Sequence, residues 1–319
     1  MKTISELTDF YYKTLYPVLQ ELEEDRKALK QRVISFASVY IIAVALIALS
    51  IYKYVDIDML FFMGVFALAG FGWLYRFLVS DYTSDFKQRV IAPLIHEIDE
   101  NLDYLPELHV PVANFNRSKL FTSRPDRVSG NDYVRGKIDG IDIAFSDFHA
   151  EKRHKDSKGR ESWTTIFQGL FIISDFHKTF HGETVILPDY AQSTFGDLIG
   201  SWLQTNNFSR KQLVKMDSPE FEKAFVVYGT DQVEARYILT HTLMQKLLNY
   251  KKRSKHPLYV SFIRGKIYMA IEYNDDMFEP AVFRSLLNYK IAMQYLATLH
   301  LAIGIVEELK LNQKLWSKK

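Results

Sequence analysis

The chain has 319 residues, 40 Lys and Arg against 38 Asp and Glu, and no cysteine. The missing cysteine excludes disulfides, thiolate zinc sites and cysteine nucleophiles, and it fits a reducing compartment. A net charge of only +2 leaves no electrostatic footprint for nucleic acid, so no such partner is expected.

Residues 1–32 read as an amphipathic helix. Ile4, Leu7, Tyr11, Leu15, Val18 and Leu22 recur at three and four residues and paint one apolar stripe. Pro17 is expected to break or kink it. The stripe needs a cover, either the domain that follows or a second copy of the chain, so a homo-oligomer is one expectation. Clean heptads number fewer than three, which favours ordinary helix packing over a coiled coil.

Two apolar runs follow. Val33 to Tyr52 is 20 residues without a charge, and Met59 to Tyr75 is another 17, with Arg76 alone interrupting before Phe77-Leu78-Val79. At about 1.5 Å per residue, roughly 20 apolar residues cross a hydrocarbon core of about 30 Å. Only Lys53 to Asp58 separates the runs. The expectation is a transmembrane hairpin over 33–80, with spans 33–52 and 59–80 in the lipid bilayer. Arg26, Lys27, Lys30 and Arg32 precede it, and Arg76, Lys87 and Arg89 follow, whereas the loop holds one Lys and two Asp. The positive-inside rule then puts both termini in the cytoplasm of a multi-pass inner (cytoplasmic) membrane protein. A cleavable leader is not expected, because the first apolar run starts beyond residue 30 behind a charged segment.

Residues 81–119 read as a juxtamembrane helix and linker. Phe86, Val90, Leu94 and Ile98 repeat at four within a helix expected over Asp81 to Tyr104, kinked by Pro93. Pro106, Pro111 and Asn116-Arg117-Ser118 then mark the connection. The cytoplasmic α+β domain is expected over 120–319. Tyr133 to Ile138 and Ile141 to Phe148 flank Asp139-Gly140, a two-residue hairpin signal. Trp163 to Ser174 is a long strand, apolar on both faces around Leu170 to Ile173, and Thr184 to Leu187 is a short one. Phe195 to Leu203 is a candidate short helix. Ser218-Pro219-Glu220 and Asp231-Gln232-Val233-Glu234 are helix starts with Ser and Asp as caps, the second a capping-box variant in which Glu234 would reciprocate. Ala224 to Tyr228 lies between them as a strand. The second helix runs toward Tyr250 with an interruption at Thr240. Leu258 to Ile263 and Lys266 to Tyr273 are strands joined at Arg264-Gly265. A long helix from Pro280 to about Leu311 closes the chain. Its uncharged stretch, Ile291 to Val306, is short and spotted with Gln294, Thr298 and His300, so burial against the sheet is expected rather than a third span.

The fold expected is thus α+β: a two-helix transmembrane hairpin plus a cytoplasmic, mostly antiparallel β-sheet domain with a long C-terminal helix. Many short strands before one long helix also suit a pleckstrin-homology-like barrel, although a helix near Asp231 departs from its simplest form.

Several clusters carry a resemblance: Ser129-Gly130-Asn131-Asp132-Tyr133-Val134-Arg135-Gly136, Phe167-Gln168-Gly169-Leu170-Phe171, Phe176-His177-Lys178-Thr179-Phe180 and the run from Phe225 to Thr240. Together they resemble the bacterial family called domain of unknown function 3137, over roughly Leu120 to Leu311 plus the two-span topology. His241 departs from the family pattern, where proline is expected after the Leu-Thr pair. The resemblance implies a bacterial membrane anchor and no stated activity, and it points to another membrane protein, of the LemA type, as a partner.

Chemistry is sparse. His177 and His181 are four apart, and His149 lies near His154, but no carboxylate spacing completes a metal site. Neither a nucleophile elbow, a phosphate loop nor a dinucleotide fingerprint occurs. Asp231, Glu234 and Arg236 are more simply a cap, its partner and an ion-pairing arginine than a catalytic trio. Catalytic, cofactor-binding and metal residues are therefore left unassigned. What stands out is two basic segments: Lys152, Arg153, Lys155, Lys158 and Arg160 in one, Lys251, Lys252, Arg253 and Lys255 in the other. Near an anionic leaflet each such charge contributes about 1 kcal/mol. Two readings follow. The first is a non-enzymatic, membrane-anchored interaction or scaffold module for a protein partner or the inner leaflet. The alternative is an enzyme or small-ligand-binding domain with an unrecognised pocket.

Overall fold

The computed structural model describes residues 4–121, 123–138, 140–175, 181–189, 212–254, 256–273 and 278–287. The chain forms two compact units, one running through Leu94 and taking in the stretch after Phe278, the other spanning Ile95–Met277.

The first unit is a helical hairpin. α1 (Ile4–Phe10) passes through a π turn, Tyr11–Leu15, into α2 (Tyr16–Ile51), and α3 (Ile57–Phe86) passes through a second π turn, Lys87–Ile91, into α4 (Ala92–Ile98). The helical run continues through both Pro17 and Pro93 without a break. A proline ring clashes with the carbonyl one turn before it and lacks the N–H that carbonyl needs. In both cases the wider π turn lies just N-terminal to the proline, at Pro17 and Pro93, and shifts that carbonyl aside. Tyr11, Leu15, Leu19, Leu22, Arg26, Leu29 and Val33 are buried along α2 and the turn before it, at helical spacings of three and four. Leu19 takes the buried place expected of Val18, which is only half-buried. The segment after Phe278 is turn rather than the start of a helix as far as residue 287. Its Val282 packs with Leu29, Val33 and Tyr82. The rest of the expected C-terminal helix, and the expected helix over Phe195 to Leu203, lie outside the described residues.

The second unit is one antiparallel sheet of nine strands among the described residues. In chain order these are β1 (Leu102–Leu105), β2 (Arg127–Ser129), β3 (Tyr133–Ile138), β4 (Ile141–Lys155), β5 (Glu161–Asp175), β6 (Glu183–Pro188), β7 (Phe225–Gly229), β8 (Leu258–Ile263) and β9 (Lys266–Glu272). The order across the sheet is β1-β3-β4-β5-β9-β8-β6-β7, with β2 alongside β4. Among the described residues the path is open, with β1 and β7 at its ends, and is not closed as a pleckstrin-homology-like barrel would be. Helix was expected through Tyr104. α4 instead ends at Ile98, and Leu102 to Leu105 pair with Tyr133 to Gly136 as the edge strand.

Strands β6 to β9, and β5 from Phe167 onward, are buried on both faces, which is why their sequences read as apolar runs. One face gathers Phe148, Phe167, Phe171, Val185, Tyr228 and Tyr268 beneath Val110, Phe115 and Leu120. The cover is α5 (Val112–Arg117) with its flanks. Phe115 lies 4.9 Å from Phe148 and 4.8 Å from Phe121, ring centre to ring centre. Burying such a ring stabilises by about 1.5–3 kcal/mol. Two buried serines fasten the cover. Val110 N–H donates to Ser146 Oγ at 3.0 Å, and Ser261 Oγ donates to the Ser118 carbonyl at 2.6 Å. Gly169 sits where β5 meets β9 at φ +146°, and a Cβ there would lie 2.0 Å from the Ile271 carbonyl oxygen. Only glycine fits.

The remaining helices are short. α6 (Pro219–Glu222) is capped by Ser218, whose hydroxyl accepts from Phe221 N–H at 3.3 Å. α7 (Gln232–Ile238) is capped by Asp231, which accepts from Val233 and Glu234 N–H at 2.8 and 3.0 Å. The expected interruption is present: α8 starts afresh at His241 and runs to Ser254. Thr240 Oγ1 accepts from Leu243 N–H there at 3.3 Å, so a threonine cap does the work expected of proline.

Candidate membrane and partner-contact surfaces

The hairpin exposes what a water-soluble protein hides. Val39, Ile41, Leu49, Phe61, Phe66, Leu68 and Trp73 all face outward, Phe66 and Leu68 at 76% and 75% exposure. An apolar surface of that extent marks a membrane or partner contact. The helical stretches Thr8–Ile51 and Ile57–Ile98 are long and apolar enough to cross a membrane. Between them Tyr40 Oη donates to the Ala67 carbonyl at 2.8 Å. Gly70 leaves room for that hydroxyl, which would stand 3.1 Å from a Cβ. Small residues and interhelical hydrogen bonds of this kind hold helices together in lipid.

Below the apolar stretch lies a buried polar knot. Arg26 clasps Glu23 through Nε and Nη2 at 2.9 and 2.8 Å and donates Nη1 to the Val282 carbonyl at 2.6 Å. Leu286 N–H donates to Glu23 Oε2 at 3.0 Å. The arginine hydrogen bond, reinforced by Leu286 N–H, holds the Glu23 carboxyl below its ordinary value despite burial. Lys87, also buried, faces Glu279 at 3.9 Å. Tyr82 Oη is buried and has no hydrogen-bond partner among the described residues. Sequence reading counted Arg26 and Lys87 as flanking positive charges. Both are instead spent inside the unit. The missed signal was an i,i+3 opposite-charge pair on the apolar stripe.

The first basic segment is not a loop but a ribbon. β4 and β5 stay paired to Lys155 and Glu161, so only residues 156–160 turn. Lys152 pairs with Asp126 at 3.2 Å, Arg153 with Glu161 at 3.4 Å and Arg160 with Asp156 at 2.8 Å. Arg127 lies 4.3 Å over the Trp163 ring and reaches Glu151 at 2.5 Å. Lys155 and Lys158 are exposed, with no side-chain partner among the described residues. The second segment differs. Lys251 and Lys252 belong to the last turns of α8, with Arg253 beside them, while Lys255 lies outside the described residues. Lys251 donates to the Ala224 carbonyl at 2.5 Å and lies 4.9 Å over the Phe225 ring. Burial pushes its ammonium down. Lys252 pairs with Glu220 at 2.5 Å. The two segments are thus unlike, one a projecting ribbon and the other a helix end fastened to β7.

The groups imagined as catalytic are committed elsewhere. Glu234 accepts from His181 and Gly182 N–H at 3.1 and 3.0 Å instead of reciprocating at the Asp231 cap. Arg236 Nε donates to the Lys215 carbonyl at 3.2 Å rather than to an acid. Two buried carboxylates went unnoticed in the sequence. Asp132 accepts from Tyr104 Oη, and Asp147 accepts from Tyr273 Oη at 3.0 Å. Burial, with Asp132 beside it, pushes the Tyr104 phenol far up. Gly130 makes the fit: a Cβ there would meet the Asp147 carbonyl oxygen at 2.3 Å. His149 Nε2 lies 3.1 Å from Thr165 Oγ1, and His177 is outside the described residues. Among those residues no group of three His, Asp or Glu is placed to hold a metal ion.

Residues 165–311 match the model of a family described as protein of unknown function, DUF3137. The likeness to that family lies in this stretch, a little under half of the chain. Within the matched stretch the DUF3137 sequence supplies β5 to β9 and the capped helices between them. No curated protein matches the chain by sequence. The crystal structure of the mycobacterial trehalose monomycolate transport factor A, TtfA, aligns at 11% sequence identity. It covers 64% of this chain and 88% of that one, with a TM-score of 0.33. A likeness that distant says nothing of function.

Proposed function

We propose that this protein is an integral protein of the bacterial cytoplasmic membrane. Both termini lie in the cytoplasm, and the sheet domain is a non-enzymatic interaction or scaffold module. Its partner is either the inner leaflet or another membrane protein, of the LemA type or a second copy of this chain. The observation that carries this reading is the apolar surface of α2 and α3, exposed along its length and ending in positive flanks. The polar residues that would otherwise suit chemistry fit the same reading. Asp231, Glu234 and Arg236 serve backbone groups, and Asp132 and Asp147 serve tyrosine hydroxyls.

Fractionation and crosslinking test it together. The full chain is expected to stay in membranes washed with alkaline carbonate. Its sheet domain is expected to resist protease added outside the cell and to yield crosslinks to lipid or to a membrane protein. Release by carbonate, or cleavage of the domain from outside, would overturn the reading.

A further inference from the structure

Among the described residues the far end of the β4–β5 hairpin has no third strand. β9 pairs with β5 only from Gly169 onward, and β2 leaves β4 at Glu151. Beyond the register shift at Ala150/Glu151 the two strands pair, among the described residues, only with each other, Lys152 with Thr164 through Lys155 with Glu161. Residues 153–165 are exposed throughout. A two-stranded ribbon with nothing to bury is marginal in water, and the bulge at its root re-aims it. Yet this ribbon carries a composed face. Arg153 lies opposite Trp163 and Lys155 opposite Glu161 in the pairing register, and Arg127 reaches over from β2 onto the same ring. Trp163 is 39% exposed.

We infer that this face is a contact for the phosphate headgroups of an anionic bilayer, a partner assignment that rests on the membrane-anchored reading above. The chemistry matches in two ways. Arginine forks suit phosphate oxygens, and a tryptophan flanked by basic side chains suits the headgroup layer, where an indole keeps its ring in apolar surroundings and its N–H wet. The carboxylates now facing these cations do not oppose it. The Arg153–Glu161 pair is exposed on both sides, and such pairs are weak and readily exchanged for another anion, while Lys155 and Lys158 have no partner to exchange among the described residues. The Lys251 end is excluded, because that lysine is committed to the Ala224 carbonyl.

The chain's lack of cysteine makes the test direct. Ser157→Cys places one thiol in the turn of the ribbon, to be labelled with an environment-sensitive nitrobenzoxadiazole dye in the full chain. The labelled protein is reconstituted in nanodiscs of phosphatidylcholine, or of equal parts phosphatidylcholine and phosphatidylglycerol. The emission is expected to blue-shift and brighten only in the anionic discs. It should revert at about 1 M salt, where the Debye length falls to about 3 Å. R127S/R153S/K155S/K158S should lose the response. K155S/K158S, which disturbs no contact among the described residues, should weaken it with an unchanged far-UV spectrum. Identical emission in both discs overturns the inference, as does an anionic response that survives the fourfold variant. A response to added poly-glutamate in neutral discs, with none to anionic discs, overturns it in favour of an acidic protein segment. Failure to co-elute with either disc would instead overturn the membrane-anchored reading, so the two failures are distinguishable.

Discussion

Replacing Arg26 by Met should unfasten the segment that carries Val282 from the hairpin. The substitution removes three hydrogen bonds at once, two to Glu23 and one to the Val282 carbonyl. It leaves the Glu23 carboxylate, 5% exposed, buried without its cation. Breaking a buried pair in this way costs about 3–5 kcal/mol. At about 1.4 kcal/mol per factor of ten, the open population of the segment rises by roughly two to four orders of magnitude. Val282, 2% exposed, can report this as Val282→Cys, the sole thiol in a cysteine-free chain. In detergent, its maleimide labelling rate in the R26M background should exceed that of the parent by about a hundredfold or more, because labelling tracks the open fraction. E23L/R26M should label slowly again, since apolar residues of similar volume replace a buried pair without loss. An unchanged rate in R26M, or equally fast labelling in the double variant, would refute the reasoning.

The same thiol reads a pH dependence. The Glu23 carboxyl lies below its ordinary value of 4.5, so its contribution is fully present above that value and is lost as pH falls through the lowered one. Labelling should therefore stay slow from neutral pH down to about the ordinary carboxylate value and quicken only below it. Two tyrosines should behave oppositely in thermal melts. Y104F withdraws the donor from buried Asp132 and should cost about 1–3 kcal/mol, whereas Y82F removes a hydroxyl with no partner among the described residues and should be neutral or stabilising. D231A should cost about 0.5–2 kcal/mol through loss of the α7 cap, with D231N near the parent. G169A should fail to give a folded sheet domain, judged by the loss of its near-UV circular dichroism, because backbone at 2.0 Å cannot yield to a Cβ.

Short-range patterns were the part of this fold that could be read from the residues. Uncharged runs of 20 and 17 residues announced the hairpin. The strands at Tyr133, Thr184, Ala224, Leu258 and Lys266 were readable from apolar runs and turns, because period and punctuation are local. The caps at Ser218 and Asp231 were legible for the same reason: each serves N–H groups two or three residues away. Tertiary structure alone decided where long-range partners lie. Leu102 to Leu105 is too short to signal a strand and becomes one only because β3 offers its edge. Lys152 to Lys155 has loop composition and is strand only because β5 runs alongside. Arg26 and Lys251 look like any surface cation, and only their partners, 256 and 27 residues away, draw them inward. Asp132 and Asp147 are ordinary acids in the sequence, made buried acceptors by tyrosines up to 126 residues distant. The ribbon face joins Arg127 to Trp163 across three strands, and no sequence window holds both in a pattern that pairing alone creates.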